Sequence, residues 1–452
     1  MQPKQLGPIE AEEDEALAPA VMVRFDPQRR ASTAELKATV ASLIEFLGQC
    51  EADLGLRQRA RKERDHRSFC LAVECIVCNL MGLALTGSAT VLAVPRSSRM
   101  MWTQRRYASP VYGQHFLDAL DLMARLEVGL IAEVAHGDRG GDKRQSTIRP
   151  TPALQARVLP QCASLNWNSF SRASEPEVLI LKGVKDPATG RALAIDYQDT
   201  ATTRRRRKAV LRINAWLQSA PLRLLTDGGG LTSKDGQPID PNRRALRRIF
   251  NNGDWGQGGR LFGGFWENVR RVDRFKFLRI CTPAHPEGET IANVDFAQLF
   301  PTLAYHQMHR DPPEGDLYDI GEDGSNRAGW KKLLNALLFA REPLTHWPRG
   351  TAELFPKATK LRDALETIAA VHAPITPLFG TAIGFRLMLI ESETLLAALA
   401  QLQHRNVTAL PLHDSVLVAR SEAETAKEVM AEAFGLLNES RRLAKLQVDF
   451  GP

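Results

Sequence analysis

Two short apolar runs near the end of the chain each deliver one aspartate to a place where the backbone must turn. Residues 290–295, Thr-Ile-Ala-Asn-Val-Asp, read as a strand ending in Asp295, after which the chain turns into a helix. Residues 407–418 read as two β-rich pieces around a polar turn, a hairpin with His413-Asp414-Ser415 at its tip. A strand end and a hairpin tip fit side by side in one sheet, so a fold that pairs these runs brings two carboxylates together. Such a pair suits two Mg²⁺ ions, which stabilise the attacking and leaving oxygens of an in-line phosphoryl displacement. Either aspartate taken alone is an ordinary turn residue.

Between the two runs, Arg327, Lys331, Asn335 and Phe339 recur every four residues and share one helical face. Two cations, an amide and an aromatic on one face suit a triphosphate with a base stacked further along. The plain alternative is a solvated helix whose Phe339 faces the core.

These segments together resemble the palm and fingers of family A DNA polymerases and the related single-subunit RNA polymerases. Asp295 to Phe300 is similar to the family's first motif. Arg327-x3-Lys331-x7-Phe339-Ala340 is similar to its nucleotide-binding helix, and Leu412-His413-Asp414-Ser415 to its last motif. Upstream, Gly259-Arg260-Leu261 with Asn268, and Arg279 before the first motif, resemble the segment that grips primer and template. The likeness spans roughly residues 240–452, in matching order and spacing. A smaller group of bacterial or mobile-element palm proteins, with Gly-Gly-Arg-Leu and Leu-His-Asp-Ser, is also similar.

The resemblance implies an α+β fold: a right-hand polymerase palm with an antiparallel sheet and helical fingers. It implies a DNA-directed DNA polymerase acting on a DNA primer–template and dNTPs, with replication or mobile-element proteins as further partners. Asp295, Asp414 and the backbone carbonyl of Phe296 would hold two Mg²⁺, with Mn²⁺ as an alternative. Arg327, Lys331, Asn335 and Phe339 would bind the nucleotide, and Phe300 would screen its sugar. Arg260, Asn268 and His413 would touch primer and template. The chain departs from the family in three places. Phe300 stands where the DNA enzymes have Glu, which is closer to family B spelling. Phe339-Ala340 replaces Tyr-Gly, and Ser415 follows Asp414 as in the RNA enzymes. No upstream segment offers the carboxylate cluster of a proofreading exonuclease, so none is expected.

The rest of the chain is read for DNA contact. Lys and Arg exceed Asp and Glu by 59 to 52, a mild excess whose placement matters more than its size. Arg204, Arg205, Arg206 and Arg207 open a helix and would face a phosphate backbone, unless they form a solvated face. Residues 114–154 run helix, strand, basic glycine-rich loop, strand, which resembles the end of a winged helix. Leu36, Val40, Leu43 and Leu47 mark one face of a helix capped by Ser32 or Thr33. Cys75 and Cys78 form a C-x-x-C inside an apolar run and read as core thiols, since no second pair stands at zinc spacing. Residues 75–95 read as a buried helix and a strand, so no membrane association is expected, and the protein is expected in the cytoplasm.

The expected organisation is a disordered acidic leader (1–30), a helical, winged-helix-like DNA-binding domain (31–155), a helical thumb-like or connecting region (156–255), and palm and fingers (256–452). Two other functions fit the same residues. One is a primase or RNA polymerase using rNTPs. The other is a non-catalytic winged-helix replication initiator on a degenerate palm scaffold.

Overall fold

The computed structural model describes residues 21–86, 90–96, 106–135, 145–162, 164–225, 230–321, 324–438 and 445–452. The chain divides into two compact units. The first gathers residues 1–101, 111–170 and 235–238, and the second gathers 102–110, 171–234 and 239–452.

In the first unit, strand β1 (Val21–Arg24) precedes helices α1 (Ala34–Asp53) and α2 (Glu63–Leu83). The Thr33 hydroxyl caps α1 by accepting from the Leu36 backbone N–H at 3.3 Å. Leu36, Val40, Leu43 and Leu47 are all buried, as their spacing predicts. Cys75 and Cys78 lie in the buried part of α2, where burial pushes both thiols upward, Cys75 to about 12. By length and composition α2 could cross a membrane, but most of it is buried in this unit.

Strands β2 (Thr90–Ala93), β3 (Ile131–Ala135) and β4 (Thr147–Pro150) complete a sheet of order β1-β2-β4-β3, with helix α3 (Gln114–Ala124) before β3. The helix–strand–strand succession is therefore present, and β3 and β4 are antiparallel. The basic loop expected to contact DNA, residues 137–144, lies outside the described residues. So do residues 1–20 of the expected leader, while its remainder includes β1, held by parallel pairing with β2.

The second unit begins with a small sheet. Strand β5 (Leu179–Leu181) pairs in parallel with β6 (Arg247–Asn251), which pairs antiparallel with β7 (Asp254–Phe262). Helix α4 (Ala201–Ser219) lies between β5 and β6 in sequence, and Thr200 and Thr203 cap each other at its start. The stretch 156–255, expected as helical, thus carries strands as well. A three-residue strand shows no periodicity of its own, and its pairing partner is distant in sequence.

The main sheet has strands β8 (Ile291–Phe296), β9 (Ala409–Leu412), β10 (Ser415–Ala419) and β11 (Leu446–Asp449), in the order β9-β10-β8-β11, all antiparallel. Around it stand α5 (Leu299–Gln307), α6 (Arg327–Phe339), α7 (Gly384–His404) and α8 (Ala423–Asn438). Side chains alternate along β8. Ala292, Val294 and Phe296 are buried, and the Phe296 ring meets Phe434 of α8 at 5.9 Å. Asp295 therefore projects from the opposite face.

Candidate active site

Register brings the two aspartates together. Asp295 is the cross-strand partner of Ser415, so Asp414, one residue earlier, lies next to it at the β9–β10 turn. The turn places His413 in the left-handed region at φ 59°. A second left-handed residue, Gln298 at φ 60°, turns the chain from β8 into α5.

A cavity of about 290 Å³ opens over this point. Its walls include Asp295, Asp414, Phe300, Arg260, Lys331 and Arg327, with Asn335, Tyr318, Gln298 and the Phe296 segment. The sheet supplies the carboxylates, and α6 supplies Arg327, Lys331 and Asn335 from successive turns. β7 supplies Arg260.

A bulge in β7 aims Arg260. The pairing with β6 slips at Gly258 and again before Arg260. Gly258 and Gly259 take φ of 87° and 89°, a region open to glycine. The bulge is anchored by the fully buried Arg248, whose Nε donates to the Gly259 carbonyl at 2.8 Å and whose Nη2 donates to Ser392 Oγ of α7 at 3.1 Å. Arg260 then donates from Nε and Nη2 to the two carboxylate oxygens of Glu391, also on α7, at 2.7 Å each.

The electrostatics are those of crowded acids. Burial, then the charge of Asp414, pushes the Asp295 carboxyl up to about 7 from 3.8, against the charge of Lys331. Burial also pushes Glu391 up to about 7, with Arg260 opposing and Asp414 adding. Burial works against the charge of Arg260, but its bonds to Glu391 and the charges of Glu391 and Asp414 outweigh this and leave it more basic.

Tyr318 and Asp316 come from the loop before α6. The Tyr318 ring is buried, with Arg327 and Lys331 over it at 5.6 and 5.5 Å. Burial pushes its hydroxyl up, and the nearby Asn335 amide works the other way. Asp316 pairs with Arg327. The loop is tied to the β8 turn, because Leu317 N–H donates to Gln298 Oε1 at 2.8 Å.

The expected site residues thus fall into three groups. Asp295, Asp414, Phe296, Phe300, Arg260, Arg327, Lys331 and Asn335 share the cavity. Phe339 stands behind it, its ring 5.4 Å from Phe300 and 5.2 Å from Phe385, so it backs the wall. His413 is exposed at the hairpin tip, 5.9 Å from the Phe262 ring, and Asn268 is exposed at the end of a short helix, Phe265–Asn268. Neither is among the cavity residues.

The arginine block of α4 needs correction. Arg207 donates to both oxygens of the buried Glu177 and to Asp199. Arg206 reaches the Trp255 carbonyl and Glu393. These two are committed within the fold, because helical spacing turns them toward β5 and β7. Arg204 and Arg205 are exposed, together with Lys208 and Arg212.

Sequence reasoning missed Tyr318, Asp316, Gln298 and Glu391. A divalent cation fits what is present. The buried Asp295 beside Asp414 is a pair of oxygen donors with excess negative charge, the hard set that Mg²⁺ prefers. Among the described residues no group of three or more His, Cys, Asp or Glu is arranged to hold a metal. An ion here would rest on two carboxylates and on oxygens from a backbone carbonyl, water or phosphate.

No protein-family model and no curated protein sequence matches the chain. Among solved structures it is similar to the POL domain of Pol1 from M. smegmatis in complex with DNA primer-template and dNTP, at 13% identity and a TM-score of 0.28. The match covers 46% of this chain and 47% of that one, so the chain spans less than half of that structure.

Proposed function

We propose that the chain is a template-directed nucleotidyltransferase, a DNA polymerase that extends a DNA primer with dNTPs and has no proofreading exonuclease. The observation that carries this reading is the convergence on one cavity of Asp295 and Asp414 from the sheet, and of Arg327 and Lys331 from one face of α6. Carboxylates on one side and cations on the other suit a nucleotide triphosphate whose reacting phosphorus lies between them.

In the proposed reaction the primer 3′-oxygen forms a bond to the α-phosphorus. The bond from that phosphorus to the α–β bridging oxygen breaks, pyrophosphate leaves, and the hydroxyl proton passes to solvent. Asp295, Asp414 and the Phe296 carbonyl would hold Mg²⁺ or Mn²⁺, which when bound supplies positive charge to the reacting oxygens. Lys331 and Arg327 take charge on the β- and γ-phosphates, and for Arg327 this means exchanging Asp316 for phosphate. The Tyr318 ring packs under both cations and would help orient them toward the phosphates. Phe300 bounds the sugar, with Phe339 as its support. Arg260, and His413 from the hairpin tip, would touch the end of the primer. The exposed cations of α4 and the first unit would add affinity for duplex backbone.

Primer extension with Mg²⁺ tests this directly. dNTPs and rNTPs are supplied in turn, with and without primer. Extension that requires primer and dNTPs is expected. Synthesis from rNTPs without primer would favour a primase, and no incorporation under any condition would favour a binding protein.

A further inference from the structure

Glu391 occupies a costly position. It lies in the middle of α7 with its side chain fully buried, on a helix whose Leu387, Leu395 and Ala398 pack into the core. Both carboxylate oxygens are taken by Arg260, and burial drives the group toward neutrality in spite of that partner. A buried ion pair of this kind contributes little net stability compared with apolar packing, so its retention asks for another reason.

The reason lies in which edges of Arg260 are used. Nε and Nη2 go to Glu391. Nη1 has no partner among the described residues, and Arg260 lines the cavity beside Asp414, whose charge acts on it. The planar fork of a guanidinium fits any carboxylate within reach. Released from Glu391, Arg260 would turn to Asp414 and neutralise it. The neighbouring residues guard the same arrangement, since Ser392 and Glu393 both engage Arg248, which anchors the bulge before Arg260.

We propose that Glu391 is a positioning residue that holds Arg260 away from Asp414. This leaves the two aspartates open to a divalent cation and leaves Nη1 of Arg260 open to an oxygen of the bound strand. The inference rests on the reading of Asp295 and Asp414 as a cation site. It differs from a simple clamp between α7 and β7, which would affect stability alone.

The test is Mn²⁺ binding by the full chain without nucleotide or DNA, followed by loss of the free-ion paramagnetic resonance signal. Glu391→Gln should weaken binding by about tenfold, because an unopposed guanidinium then competes for Asp414. Arg260→Met should tighten binding. The double variant should return to within about threefold of the wild type, since the pair is removed with no net change of charge. Wild-type affinity in Glu391→Gln, or a double variant as weak as that single variant, would overturn the proposal. If Glu391→Gln does not fold, Arg260→Met decides: tighter binding supports the proposal, and unchanged or weaker binding overturns it. A wild-type chain that binds no Mn²⁺ sinks the cation reading itself, an outcome separate from a wild type that binds while Glu391→Gln is unaffected.

Discussion

Asp295 and Ser415 face each other across an antiparallel ladder, which sets Asp414 beside Asp295 although the two segments are far apart in sequence. A one-residue slip would turn Asp295 toward Phe434 and expose Val294 and Phe296. The packing of those two apolar residues is therefore what holds the carboxylates in place.

Asp295→Asn should abolish primer extension and yet stabilise the metal-free protein at alkaline pH. The folded chain raises the Asp295 carboxyl from 3.8 to about 7, so the native state holds the proton more tightly than the unfolded one. The stability due to that proton is complete below about pH 4 and is lost as pH rises through 7. Above that point ionised Asp295 costs about 3 kcal/mol, with allowance for its partial contact with solvent. Urea melts without divalent ions should show the variant more stable at pH 8 and nearly equal at pH 4. An equal difference at both values would contradict this origin.

Added Mg²⁺ should raise the melting temperature of the wild type at pH 8 and leave that of Asp295→Asn almost unchanged. An ion held at one hundred times its dissociation constant adds about 2.7 kcal/mol to the folded state. Equal shifts in both proteins would place the ion elsewhere.

The cations of α4 should separate into two classes. Arg205→Ala with Lys208→Ala removes exposed charge, so DNA affinity should fall alike for unrelated sequences. The slope of log K against log salt should drop by about one to two. Arg207→Ala leaves the buried Glu177 with the Val178 and Leu179 N–H groups and with Arg106, at 3.2 Å, as its remaining cation, and should cost about 2–3 kcal/mol of stability with little change in slope. The reverse pattern would mean that α4 turns its other face to DNA.

The contrast between Glu391 and Lys331 explains what was legible in the sequence. Arg327, Lys331 and Asn335 announce a shared face by their spacing, and Asp295 and Asp414 by their place at turns, so local geometry was enough. Ile390-Glu391-Ser392-Glu393 offers two acids that look alike, and only the phase of α7 against β7 decides that Glu391 is buried. Arg206 and Arg207 misled for the same reason, since a run of charge does not say which of its members the helix turns inward. Tyr318 sits in a polar loop with no period, and the tie that brings it to the cavity runs from the Leu317 backbone N–H to the Gln298 side chain, nineteen residues away.

His372 should make part of the stability depend on pH. It is buried between Tyr305 and Leu317, with Nδ1 3.0 Å from the Tyr305 hydroxyl and Nε2 3.0 Å from the Leu317 carbonyl. A neutral ring satisfies both, with Nε2 donating and Nδ1 accepting. Burial lowers its affinity for a proton, although the Leu317 carbonyl works the other way. The native state therefore binds fewer protons than the unfolded one, and this contribution declines as pH falls below about 6.5. His372→Phe should lose about 1–3 kcal/mol at pH 8 through the unpaired hydroxyl and carbonyl. The gap to the wild type should narrow toward pH 5, and a gap that widens instead would show that His372 is held as the cation.

Phe300 should decide which sugar enters. It follows Asp295 by five residues, lines the cavity, and is only 9% exposed. Phe339 supports the ring at 5.4 Å and the Arg260 guanidinium covers it at 5.5 Å, so it has little freedom to move aside. A 2′-hydroxyl against that ring would be crowded and would find no hydrogen bond, and an unpaired buried hydroxyl alone costs about 1–3 kcal/mol. With the clash added, discrimination for dNTPs is on the order of 100-fold, at about 1.4 kcal/mol per tenfold. Phe339 has no hydroxyl with which to offset this. Phe300→Ala should therefore bring kcat/KM for rNTPs to within about tenfold of that for dNTPs. Removing a buried ring also leaves a cavity, which costs about 3 kcal/mol or more, so Phe300→Leu is the gentler companion and should relax selectivity only in part. Steady-state incorporation of matched dNTP and rNTP pairs gives the ratio, and a thermal melt gives the stability. If both variants lose stability while the ratio stays at the wild-type value, Phe300 only packs beneath the cavity and the sugar is read by another residue. A wild type that already prefers rNTPs would leave nothing for a gate to exclude.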